Sequence, residues 1–259
     1  MNLRLSFIYS MRNLFGRRRT EGKTVNRMII PIVSIALSLI PVIVVLVVSN
    51  GMIEGILQRY IEFNTGHLNM RLWDESEIPF FARKVTDLKK DKDITAAYLE
   101  QTGGGLLFHK NHRYFVTVRA VPEDLWEEDA GFRKYTRLIR GEFDLSARNS
   151  VVIGRALAEE FGLNVGDVVL LYTHKTVFRN GEQTFLARRN RLKVTGIYSI
   201  GYQELDKNII FISFQTGLSA LTSENSSLNM IVKVPDPFTD IDGKARALEK
   251  KIDPEVIFW

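Results

Sequence analysis

Between Arg27 and Glu54 no residue carries a charge, and from residue 28 to residue 48 the chain reads MIIPIVSIALSLIPVIVVLVV. At about 1.5 Å of rise per residue this run makes a helix of roughly 32 Å, matching a hydrocarbon core of about 30 Å. The pattern predicts a transmembrane helix over 28–50. Pro31 and Pro41 fall inside it, and prolines are tolerated in a span where neighbouring helices satisfy the freed carbonyls, so packing partners are expected. The competing reading is a cleaved signal peptide, whose apolar region runs about 7–15 residues and ends in a small-x-small site. This run is longer and continues into Ser49, Asn50, Gly51 and Met52. Ahead of it, Leu3, Phe7, Met11, Leu14 and Phe15 recur at helical spacing, with Arg4 and Arg12 elsewhere on the wheel. That predicts a short amphipathic helix lying in the membrane interface or against a partner. After the run, Ile53, Ile56, Leu57, Tyr60 and Ile61 keep the helical rhythm, so the helix continues as a stalk until Asn64, Thr65 and Gly66 end it.

Beyond residue 64 the apolar positions shift to short strand-like runs. Strands are predicted over 67–72, 94–100, 105–108, 113–120, 150–154, 168–172, 184–187, 192–200, 209–213 and 228–234, with a last one over 255–259. Helices are predicted over 79–90, 155–161 and 240–251, the second stopped by Gly162. Strands outnumber helices and do not alternate with them regularly, which predicts an α+β domain rather than a parallel α/β sheet. The organisation is therefore a basic amphipathic segment over 1–27, a transmembrane helix over 28–50, a stalk helix over 51–63 and a folded domain over 64–259. A chain of 259 residues is long enough to bury a real core.

Charge sharpens this reading. The net charge is +5 and the pI near 9.3, but residues 1–27 hold seven Lys or Arg against Glu21, a net +6, which leaves −1 for the rest. The folded part is close to neutral, and no nucleic-acid partner is expected. Arg17, Arg18, Arg19, Lys23 and Arg27 read as a topology signal that holds the N-terminus in the cytoplasm against lipid headgroups and puts 52–259 outside. The same stretch, GRRRTEGKT, ends like a phosphate-binding loop. Five residues separate Gly16 from Gly22, however, where that loop needs four, and it does not lead from a buried strand into a soluble helix.

Candidate chemistry is sparse. No cysteine is present, which removes disulfides, thiolate metal sites and cysteine nucleophiles. His109 and His112 form HKNH on an expected turn without a nearby acidic ligand. Ser150, Ser199 and Ser213 lack a nucleophile-elbow context, and the acid runs 127–129 and 159–160 read as solvated faces. No catalytic, cofactor or metal residue is expected, and no cofactor on this chain. One local feature stands apart: Asn180-Gly181 is a strong hairpin-turn signal. Lys175, Arg179, Arg188, Arg189, Arg191 and Lys193 flank it, with Phe178 and Phe185 among them. This is either a projecting basic arm that docks an acidic-rimmed protein or a solvated hairpin with ordinary strand aromatics.

Several stretches together carry a resemblance. The basic leader and apolar span ending in VVSNGM (47–52), then GHLNM (66–70), NSVVIGRALAEEFGLNVGDVVLL (149–171) and VTGIYSIGYQELDKNIIFIS (194–213) resemble, in order, the lipoprotein-releasing permeases LolC and LolE. They lie in a permease superfamily whose MacB-like members share the extracytoplasmic fold. The resemblance implies a permease subunit of an ABC transporter in the bacterial inner membrane, with its main domain in the periplasm. It would take lipoprotein cargo from the membrane to a LolA-like periplasmic chaperone. It also implies a separate LolD-like ATPase subunit, a second permease subunit in a homo- or heterodimer, and two lobes in the outer domain, one inserted over about 131–228. By position the family's chaperone-binding hook falls on residues 172–191, implicating Phe178, Arg179, Phe185, Arg188 and Arg191. The substrate cavity would face Ile40, Val44, Val48 and Met52. Hooks of LolC carry proline and 172–191 has none, so LolC-like, LolE-like and fused roles stay open. Family members continue into three further membrane helices, so the chain reads as the N-terminal portion of such a subunit or a short paralogue. The alternatives are a MacB-like efflux permease subunit and a single-pass anchored binding or sensor module.

Overall fold

The computed structural model describes residues 24–179, 182–221 and 226–252. Two compact units divide the chain, Met1–Gly55 and Ile56–Trp259. Helix α1 (Thr24–Tyr60), most of which lies in the first unit, contains Pro31 and Pro41 and is long and apolar enough to cross a membrane. Ile40, Val44, Val48 and Met52 fall four residues apart along it, each more than half exposed. The expected interfacial helix before residue 16, Arg17, Arg18, Arg19 and Lys23, and the expected strand over 255–259 lie outside the described residues. Arg27 is on α1, its side chain also outside them.

In the second unit the last turn of α1 loosens into a π turn (Ile61–Thr65), closed by Gly66, whose φ of 69° lies in the left-handed region. A helix end buried in a domain leaves carbonyls without partners. Two buried cations supply them here. Lys233 Nζ donates to Glu62 O (2.6 Å) and pairs with Glu62 Oε2 (2.9 Å) and Asp129 Oδ2 (2.7 Å). Arg119 donates to Phe63 O and grips Glu100 in two-point fashion at 2.5 and 2.6 Å. The Phe63 side chain is buried against Phe132, Tyr198 and Phe211, with ring centroids 5.6–5.7 Å away.

After β1 (Leu68–Leu72) come α2 (Ile78–Leu88), β2 (Ala96–His109), β3 (His112–Val121), α3 (Leu125–Glu128), α4 (Ala130–Tyr135) and β4 (Arg137–Gly141). Then follow β5 (Ser150–Gly154), α5 (Arg155–Phe161), β6 (Val168–Arg179), β7 (Glu182–Ser199), α6 (Gln203–Asn208), β8 (Ile209–Ser213), α7 (Phe214–Ala220), β9 (Ser226–Lys233) and α8 (Ile241–Ile252). The strands follow the order β1-β9-β2-β3-β8-β5-β7-β4, and β6 bridges β2 and β7. That bridge closes β2, β3, β8, β5, β7 and β6 into a ring. Its inside is a filled core, with Leu107, Val116, Val151, Leu171, Leu192 and Ile210 all fully buried, as small barrels require. β1 and β9 extend the sheet beyond β2 and pack on α2 and α8 through Met70, Phe81, Val85, Val232 and Leu248.

The fold is α+β, with parallel pairing limited among the described residues to β3 with β8 and β5 with β7. α5 ends at Gly162 in the left-handed conformation, as its sequence predicts. Two expectations differ in extent. Residues 94–100 and 105–108 join into one strand because Gly103, Gly104 and Gly105 stay in the ladder opposite Val118, Thr117 and Val116. Residues 184–187 and 192–200 likewise join, the arginines between them alternating across a continuous strand. The short elements α3, α4, β4, α6 and α7 are not predicted by apolar periodicity, each being too short to show one.

The anchor at the end of α1 carries a pH dependence. Glu62 and His67 lie well past the apolar span. The Val234 N–H donates to His67 Nδ1 (2.9 Å), so Nε2 carries the proton and donates to Glu62 Oε1 (3.1 Å). Burial pushes the Glu62 carboxyl up, but the His67 hydrogen bond and the Lys233 charge outweigh it and hold the carboxyl at about 2, against an ordinary 4.5. A depressed carboxyl contributes stability that is full above its unfolded value and is lost as pH falls through the folded one. The thermal midpoint should therefore decline between about pH 4.5 and pH 2. Glu62→Gln should lower the midpoint at neutral pH and flatten this limb; an acid limb as steep in the variant would count against the assignment.

Candidate docking site

β6 and β7 pair without a break from Val168 opposite Lys193 to Arg179 opposite Glu182. The expected turn at Asn180-Gly181 lies outside the described residues. β2 pairs with β6 only as far as Tyr172. Residues 173–179 therefore pair with β7 alone, and at about 3.3 Å per residue they carry a two-stranded ribbon roughly 23 Å past the last β2 pair. The root of the ribbon is fixed by α7. Thr173 Oγ1 donates to Ala220 O (2.6 Å), and Arg188 donates to Ser219 O.

The outside of the ring beside this root is where charge and aromatic surface meet. Directly paired residues of an antiparallel ladder share a face, and β3, β2, β6 and β7 set two rows across it. One row is Phe115, Leu106, Tyr172 and Arg189; the other is Arg113, Phe108, Leu170 and Arg191. Their sequence neighbours Val116, Leu107, Leu171 and Leu192 point inward and have no exposure. Phe115 is 66% exposed. Its ring lies over Gly104, where a Cβ would stand only 2.6 Å from the ring edge. Phe108 and Tyr172 meet edge to face with centroids 4.9 Å apart. Arg113 on one flank, and Arg189, Arg191 and Lys193 on the other, are exposed. Among the described residues none of these four has a carboxylate partner.

The predicted residues fall in three places. Arg191 stands on this outer face; Arg188, three residues earlier, stands on the other and holds the ribbon root. Phe178, Arg179 and Phe185 lie on the ribbon backbone, opposite Gln183, Glu182 and Thr176, with side chains outside the described ones. Sequence reasoning missed Phe115, Arg113, Phe108 and Leu106. The signal was present, since in 113–118 an aromatic residue occupies the polar parity of an alternating strand. His109 donates from Nδ1 to Val168 O (3.0 Å), and the His112 ring lies 5.5 Å from that of Phe161. No three His, Cys, Asp or Glu gather as a metal site would need among the described residues.

An apolar strip bordered by unpaired arginines fits a protein ridge bordered by carboxylates. Because those arginines are solvated and unpaired, Arg189→Glu with Arg191→Glu should shift the unfolding free energy by no more than about 0.5 kcal/mol. Urea titration in detergent checks this, and a loss of several kcal/mol would make the pair part of the fold instead.

A family model described as the MacB-like periplasmic core domain matches residues 28–250. Among solved structures, the periplasmic region of MacB from Actinobacillus actinomycetemcomitans is similar. It is 14% identical with a TM-score of 0.47, over 79% of this chain and 92% of that one. The extracellular domain of YknZ, a noncanonic ABC-type transporter from Gram-positive bacteria, is 13% identical with a TM-score of 0.44, over 71% of this chain and 92% of that one. No curated protein matches the chain.

Proposed function

The chain belongs to the family of MacB-like periplasmic core domains, and from that membership we propose that it is the N-terminal part of a permease subunit releasing lipoproteins from the inner membrane. What family membership itself gives is coarser: the periplasmic domain of an ABC-type transporter permease, following one apolar helix. In the finer reading the N-terminus is cytoplasmic, held there by Arg17, Arg18, Arg19, Lys23 and Arg27. A LolD-like subunit hydrolyses ATP, a second permease subunit completes the dimer, and this chain performs no catalysis. Ile40, Val44, Val48 and Met52 face the cargo.

The observation that carries the reading is the unpaired basic face at the ribbon root. Transfer to a soluble carrier needs a docking surface that binds and lets go. A strip with an aromatic centre and solvated arginines gives that: the aromatics supply contact area, and the charges supply orientation and fast encounter. The carrier is then a LolA-like periplasmic chaperone with an acidic rim. Export by a MacB-like permease is the second reading, supported by the family model.

The test is a binding titration of the full chain in detergent against the LolA-like chaperone of the same organism. A parallel sample carries Arg189→Glu and Arg191→Glu. Micromolar binding weakened at least about tenfold by the reversals is expected. No binding in either sample would overturn chaperone docking and favour the export reading.

A further inference from the structure

A cleft of about 310 Å³ opens in the second unit between the end of α1, α4 and the loop after β9. About half of its lining is apolar, contributed by Ile61, Ala130, Pro235, Pro237 and Phe238. Phe238 leaves 53% of its surface uncovered. The two prolines restrict the loop that carries it, so this aromatic edge is held in place at low entropic cost.

The polar groups facing the cleft are of two kinds. On the floor, Glu62 and His67 are already committed, Glu62 to Lys233 and His67, and His67 to the Val234 N–H. The floor therefore offers a guest no free donor. At the rim, Gln58 Oε1 accepts from Tyr135 OH (3.3 Å), which leaves the Gln58 amide N–H groups. Lys134 is exposed, its ammonium 5.0 Å from the Tyr135 ring centroid, and has no carboxylate partner among the described residues. The rim therefore offers donors and a positive charge, and the walls offer apolar surface. Gly131 keeps this geometry, because a Cβ there would meet Glu62 Oε2 at 2.3 Å and push the carboxylate out of its cluster.

We propose that this cleft binds a single-chain anionic amphiphile, its hydrocarbon between Ile61 and Phe238 and its acidic head on Lys134 and Gln58. A carboxylate or a phosphate head meets the rim equally well, so a fatty acid and a lysophospholipid share the required chemistry. The inference rests on the cleft alone and not on the transport reading.

The full chain in a non-ionic detergent is photolabelled with a diazirine fatty acid, with diazirine lysophosphatidylglycerol and with diazirine lysophosphatidylcholine, and the labelled peptides are mapped. Both anionic probes should label the peptides holding 130–135 and 235–238, and the zwitterionic probe should label them less. Lys134→Glu, an exposed change that leaves the fold intact, should cut that labelling about five- to tenfold while labelling of the apolar run 31–48 is unchanged. Labelling by the fatty acid alone makes the head a carboxylate, and by the lysophospholipid alone a phosphate. Cleft labelling equal in Lys134→Glu, or confined to 31–48, would overturn the proposal.

Discussion

Three residue pairs decide the architecture around the candidate site. Leu106, Leu107 and Phe108 of β2 meet Tyr172, Leu171 and Leu170 of β6, and this short contact closes six strands into a ring. Without it β2 and β6 would both present open edges, which invite pairing with other chains. Closure also sets parity. Side chains alternate with period two, so placing Leu107 and Leu171 inside places Leu106, Tyr172, Phe108 and Leu170 outside. A slip of one residue would exchange the filled interior for the aromatic face. The brevity of the contact has a second consequence. β6 and β7 are longer than the ring needs, and what remains becomes the ribbon.

Much of this was legible in the sequence, and what was not has a common cause. The charge-free run, the αL stop at Gly162 and strands such as β5 and β8 announce themselves because one local rule decides each. β2 and β7 looked broken because glycines at 103–105 and arginines at 188–191 interrupt the apolar rhythm. Both stay in the ladder because their partners are remote: Phe115 covers Gly104, and Thr173 faces Arg188. Ring closure is likewise a contact between residues far apart in sequence, which periodicity does not encode. The hairpin was visible as Asn180-Gly181 between basic flanks. The face beside it was not, because half of it is contributed by β2 and β3, some sixty residues earlier.

Positive charge has two opposite uses in the second unit. Arg119 and Lys233 are buried, each tied to carboxylates and to a carbonyl at the end of α1. Taking such charges out of water costs several kcal/mol apiece, and the cost is offset only where every donor finds a partner. Here the carbonyls of Glu62 and Phe63 are among those partners. The cations thus satisfy carbonyls of the helix end, and those carbonyls in turn partner the buried cations. Removing either side strands the other, which is strongly destabilising. Arg113, Arg189 and Arg191 stay in water, lose little solvation and add little to the fold.

Exposing Phe115 has no return in the isolated chain. Its neighbours on β3 show that the strand tolerates a polar residue at this parity, since Arg113 and Thr117 flank it on the same face. The ring instead covers the bare backbone of Gly104 on one side and leaves the other to solvent. At about 25 cal/mol per Å², an aromatic face of on the order of 100 Å² offers a partner roughly 2.5 kcal/mol on contact. The arginines around it keep the uncovered strip from sticking to copies of itself, because like charges would face each other across a self-contact. A surface that gains from being covered, and is repelled by its own image, is suited to a partner of opposite charge.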